Sequence, residues 1–94
     1  MKDRAALVRR MRIVNEKGLH ARASARFVEV VEAHDARVRV RHDGIEAAGD
    51  SIMGLLMLGA AKGAEIEVEA EGPQAASALE ALEKLVSERF GEDF

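Results

Sequence analysis

Cysteine, tryptophan and tyrosine are absent from the 94 residues, and proline occurs once. Without cysteine, no disulfide holds the fold and no thiolate does chemistry, which fits a reducing compartment. With only three phenylalanines and a formal net charge of −3, the chain lacks the basic surface and the stacking aromatics of single-stranded nucleic-acid binding. Nucleic acid is therefore not expected as a partner. The longest apolar run, Leu55-Leu56-Met57-Leu58-Gly59-Ala60-Ala61, is far too short to span a bilayer. The first residues are basic (Lys2, Arg4, Arg9, Arg10, Arg12) but carry no continuous apolar core of a signal peptide. A cytoplasmic protein with no membrane partner is expected.

The length predicts one domain over residues 1–94, with residues 1–6 as a loose tail. A chain of this size buries about 60–65% of the surface that its unfolded form exposes, enough for one core but not for a deep enclosed site. Any chemistry is expected at the surface, with a partner completing the site.

Hydrophobic periodicity orders the rest. Residues 7–15 read as a strand with Met11 and Ile13 on the buried face. Residues 21–33 read as a helix with Ser24, Phe27, Val28 and Val31 on one stripe and Arg26, Glu29 and Glu32 outward. Residues 36–41 and 64–71 alternate strictly, so each is a strand with one apolar and one charged face. The outward arginines of the first and the outward glutamates of the second predict neighbouring strands joined by an Arg–Glu ladder. His42-Asp43-Gly44 marks a hairpin turn into a short strand at 45–48. A short helix is expected over 52–58. A last one is expected from Pro73, in its first turn, through Leu79, Leu82, Val86 and Phe90 to Gly91. The order β-α-β-β-α-β-α predicts an α+β fold: a four-stranded antiparallel sheet with three helices on one face and solvent on the other.

Chemistry centres on Gly18-Leu19-His20-Ala21-Arg22. The histidine sits where a helix begins, and the free N–H groups and positive dipole end there favour an anion. A neutral imidazole can attack phosphorus and pass the group on. The backbone N–H groups of Ala21 and Arg22 would meet the phosphoryl oxygens, with the Arg22 guanidinium as a mobile clamp. On spacing alone, His20 is either this nucleophile or simply a residue at a helix start. The 52–58 helix has almost no polar face, so it is either a docking surface or an inefficiently buried core helix. Ser51 is expected to cap it, and a phosphate there would place negative charge beside the apolar patch. His34 and His42 show no ligand spacing with His20, so no metal site is expected, and no cofactor is implied.

Together, Gly18-Leu19-His20-Ala21-Arg22 and Ser51-Ile52-Met53-Gly54-Leu55 resemble the HPr phosphocarrier family of the phosphoenolpyruvate-dependent phosphotransferase system, over roughly residues 11–90. The resemblance implies an open-faced β-sandwich. It implies that His20 accepts a phosphoryl group on Nδ1 from phosphorylated Enzyme I and donates it to a histidine of an Enzyme IIA. The protein would then be a phosphotransfer intermediate rather than a stand-alone enzyme. Arg22 carries over as the phosphate-side arginine, and Ser51 as the serine that HPr kinase/phosphorylase modifies. Ile52, Met53 and Leu56 carry over as the docking patch, beside Ala25. Two departures stand out: Ala23 where the family usually has proline, and Glu29 and Glu32 where many members carry lysines. Leu55-Leu56-Met57-Leu58, Ala61-Lys62-Gly63 and Gly72-Pro73-Gln74 resemble the nitrogen-branch relative, NPr, whereas Ser51-Ile52-Met53-Gly54 resembles the kinase-regulated branch. A monomeric regulatory phosphocarrier is expected. The rival readings are an interaction regulator whose phosphorylation state tunes binding to target enzymes, and an α+β scaffold without phosphotransfer.

Overall fold

Alternating apolar and charged residues leave a strand one dry face and one wet face, and the sheet follows from that rule. The computed structural model describes residues 6–94. Its elements run β1 (Leu7–Arg12), α1 (Ala21–Glu32), β2 (Arg37–His42), β3 (Ile45–Ala48), α2 (Ile52–Met57), β4 (Glu65–Glu71) and α3 (Ala75–Ser87), then a 3-10 turn over Arg89–Gly91. The strands form one antiparallel sheet in the order β1-β4-β2-β3. Val38 and Val40 of β2 and Ile66, Val68 and Ala70 of β4 turn inward and are buried. The three helices pack over that face and complete the core with Phe27, Leu55, Leu79 and Leu82. Of the expected tail, residues 1–5 lie outside the described residues.

The expected charge ladder is present, with Arg37 opposite Glu71, Arg39 opposite Glu69 and Arg41 opposite Glu67. Its bonds converge on Arg41, which donates to Glu46, Glu67 and Glu69. Such exposed pairs are screened by water, and their main effect is to hold the register. The β2–β3 hairpin turns through Asp43 and Gly44, both with positive φ (50° and 81°), the geometry of a tight two-residue loop.

Three boundaries differ from the pattern by two residues or more, and several others by one. β1 ends at Arg12, although Ile13 still bonds across to the β4 side, its N–H to Ala64 at 2.8 Å. Pro73 lies ahead of the Gln74 N-cap and not in the first turn of α3. Gln74 and Asp35 exchange bonds there, Gln74 N–H to the Asp35 carbonyl and Asp35 N–H to Gln74 Oε1. The last helix stops at Ser87 and does not run on to Phe90. Arg89 and Phe90 both take left-handed backbone angles (φ 58° and 55°), yet the Phe90 ring is fully buried. Burial of that ring outweighs the cost of the turn.

Candidate functional site

The segment between β1 and α1 sets the position of His20. Asn15 is fully buried, and its amide donates to the Gly18 carbonyl at 2.8 Å while the Gly18 N–H returns to the Asn15 carbonyl at 3.2 Å. Gly18 has φ 67°, and a Cβ there would lie 2.6 Å from the Ala60 carbonyl oxygen. Only glycine lets the two chains come this close. The next residue exploits the approach: the Leu19 N–H bonds to Ala60 at 2.9 Å, and the Leu19 side chain enters the core. The histidine loop is thus pinned to the segment that follows α2.

His20 is the N-cap residue of α1, with extended backbone (φ −77°, ψ −176°). Its carbonyl accepts the first intrahelical bond, from the Ser24 N–H at 2.8 Å, and Ser24 Oγ donates to the Leu19 carbonyl. The N–H groups of Ala21, Arg22 and Ala23 precede that bond, so they project from the helix end with the positive end of its dipole. The His20 side chain makes no capping bond and is 26% exposed, so the ring is free for other contacts. Arg22, two residues on in the first turn of α1, is exposed. A cleft of about 410 Å³ opens here, bordered by Lys17, His20, Arg22 and Arg26 on one side and by Glu92 and Phe94 on the other. It has room for a phosphoryl group next to the ring.

The far side of that cleft is the C-terminal tail. Glu92 Oε2 pairs with His20 Nε2, and Glu92 Oε1 accepts from the Asn15 amide at 3.0 Å. Burial pushes the Glu92 carboxyl up; the hydrogen bonds from His20 and Asn15, and the charges of a protonated His20 and of Lys17, outweigh it, so the net shift is downward. The Glu16 N–H bonds to the Phe94 main-chain oxygen at 3.0 Å and ties the tail to the histidine loop. Neither Asn15 nor Glu92 was legible in the sequence. Asn15 reads as the end of a strand, and Glu92 lies 72 positions from its partner in an acidic terminus with no motif of its own.

On α2, Ser51 is the N-cap, and its Oγ accepts from the Gly54 N–H at 3.0 Å. Leu55 and Leu58 point inward, while Ile52, Met53, Leu56 and Met57 stay exposed, Met53 to 69%. Ala25 is half-buried on α1, which packs against α2. The other two histidines stand apart from His20: His34 Nδ1 bonds to the Val30 carbonyl at the end of α1, and His42 lies at the end of β2.

A family model described as "PTS HPr component phosphorylation site" matches residues 7–88. The chain belongs to the PTS HPr phosphocarrier family. It is 46% identical over 82 residues to phosphocarrier protein NPr of Escherichia coli K12, covering 86% of this chain and 91% of that one. It is 45% identical over 80 residues to phosphocarrier protein HPr of Neisseria meningitidis serogroup A, covering 85% and 90%. The crystal structure of HPr-C-His from Thermoanaerobacter tengcongensis superposes with a TM-score of 0.89 at 33% identity, covering 94% of this chain and 99% of that chain. The architecture is accordingly the open-faced α+β sandwich of HPr. His20, Arg22 and Ser51 fall inside the residues matched to the HPr family, whereas Glu92 falls beyond them.

Proposed function

We propose that this HPr-family chain, a single domain acting as a cytoplasmic monomer, relays a phosphoryl group through His20 from phospho-Enzyme I to an Enzyme IIA. The observation that carries the reading is a partly exposed imidazole at the start of α1, beside projecting N–H groups and within a cleft open to a partner. In the transfer, the Nδ1 lone pair attacks phosphorus, the donor's bond to phosphorus breaks, and its electron pair stays on the donor nitrogen. The phosphoryl oxygens meet the N–H groups of Ala21 and Arg22, with the Arg22 guanidinium closing from outside. Stabilisation by surface donors is modest, which suits a group that must leave again.

Docking of donor and acceptor is assigned to the exposed apolar face of Ile52, Met53 and Leu56, with Ala25 beside it. Alanine at position 23 is compatible with this role, because it is a good helix former and packs fully buried in the first turn. Glu29 and Glu32 are exposed and make the C-terminal half of α1 acidic, so the acceptor would be one that does not need a basic rim there. The likeness to NPr (46% identity) and the likeness to HPr (45%) are near equal, so the nitrogen-type branch rests on the acidic residues of α1 and on the motifs shared with NPr. Comparing the rates at which nitrogen-type and sugar-type Enzyme IIA proteins take the label tests that choice.

The primary test is incubation with phosphoenolpyruvate and Enzyme I. An acid-labile, base-stable phosphate is expected on the chain and none on His20→Ala; label retained by His20→Ala would overturn the site. A second reading, favoured by the Ser51 cap at the edge of the apolar face, is regulation of binding by Ser51 phosphorylation, with an HPr kinase/phosphorylase as the modifying partner. Equal capture of every partner by Ser51→Asp and the unmodified chain would remove that switch.

A further inference from the structure

We infer that Glu92, carried on the C-terminal tail, is a positioning residue for His20: it takes the Nε2–H and thereby presents Nδ1 to the incoming phosphorus. The inference rests on the reading of His20 as phosphoryl acceptor and adds a residue beyond the segment matched to the family.

The contact is built from both sides. One carboxylate oxygen of Glu92 pairs with His20 Nε2, the other accepts from buried Asn15, and the Glu92 side chain is only 15% exposed. The same Asn15 amide donates to the Gly18 carbonyl, so one side chain fixes both the histidine loop and the carboxylate. The tail is anchored on each side of Glu92. Before it, Phe90 is buried through a left-handed turn at two non-glycine residues; after it, the Phe94 main-chain oxygen accepts from Glu16 N–H. Such backbone angles persist only where the surroundings over-determine them.

A neutral imidazole has one ring proton, and the bond made by one nitrogen decides which nitrogen is bare. With a carboxylate accepting at Nε2, the proton stays there and Nδ1 keeps its lone pair. As Nδ1 bonds to phosphorus and the donor's bond breaks with its pair left on the donor, the ring becomes cationic. Its proton remains on Nε2, facing Glu92, which stabilises the new charge. The carboxylate engages the ring nitrogen other than the attacking one, while Lys17, Arg22 and Arg26 supply the positive side of the cleft.

The test uses the full chain. In the wild type, 15N shifts of the neutral His20 ring are expected to report the Nε2–H tautomer alone; Glu92→Ala should give a mixture of both tautomers. Acceptance of phosphate from phospho-Enzyme I should slow about tenfold in kcat, the loss of one charge-assisted hydrogen bond, with KM nearly unchanged. Glu92→Gln keeps an acceptor oxygen without the charge, so its ring should stay oriented while its rate falls; it decides the matter if Glu92→Ala unfolds. A wild type that takes no phosphate overturns the His20 reading. A wild type that does, with both variants matching it in rate and tautomer, overturns the role of Glu92.

Discussion

Gly18 holds a left-handed backbone with the Ala60 carbonyl where a side chain would begin. Alanine there meets two penalties at once, the positive φ and a clash with main-chain atoms that cannot rotate away. Gly18→Ala is expected to lower stability by about 2 kcal/mol, read as a fall in the urea midpoint at unchanged slope. Because Leu19 and His20 follow directly, the same change should displace the imidazole and slow phosphate uptake beyond what the stability loss explains. A variant as stable as wild type would show that the loop relaxes without cost. At this scale the sequence was half legible. Gly-Leu-His-Ala-Arg announces a histidine at a helix start, because the glycine, the histidine and the helix are adjacent. Asn15 and Glu92 were not legible: their role comes from a pairing across 77 positions, and nothing local to either residue signals it.

Among the elements, α2 depends most on one residue. A helix of six residues is marginal by itself, so it stands on the Ser51 cap and on burial of Leu55 and Leu58. Ser51→Ala should cost about 1 kcal/mol in urea denaturation. Ser51→Asp should keep the cap and most of that stability, because aspartate caps as well as serine does. If Ser51→Asp then loses transfer while keeping the fold, the added charge acts on docking and not on the helix. Loss of stability equal to that of alanine would contradict this separation. Element periodicity also shows where sequence reading overreaches. Strict alternation made β2 and β4 legible together with their Arg–Glu pairing. The same method carried α3 on to Phe90 because Leu82, Val86 and Phe90 keep helical spacing. That stripe reports which side chains are buried, and Phe90 reaches its place through a left-handed turn with the apolar spacing unbroken.

Across the whole molecule, three segments distant in sequence meet at His20: the loop after β1, the segment after α2 and the tail after α3. Topology makes this possible, since β1 and β4 are neighbours and α3 packs on both. The closure is linked to pH through Glu92. Burial acts to raise its pKa, but the bonds from His20 and Asn15 and the charges of a protonated His20 and of Lys17 prevail, so the folded value lies below the ordinary 4.5. A carboxyl depressed on folding binds protons more readily in the unfolded chain. Its contribution to stability is therefore complete above the ordinary value and is lost as pH falls through the folded one. Glu92→Ala removes that contribution. The urea midpoints of wild type and Glu92→Ala should be separated near neutrality and draw together as pH drops below the ordinary carboxylate range, with wild type always the more stable until they meet. A gap of constant size from about pH 7 to about pH 3 would mean that the tail is held by Phe90 and the Glu16–Phe94 bond alone, with the carboxylate idle in folding.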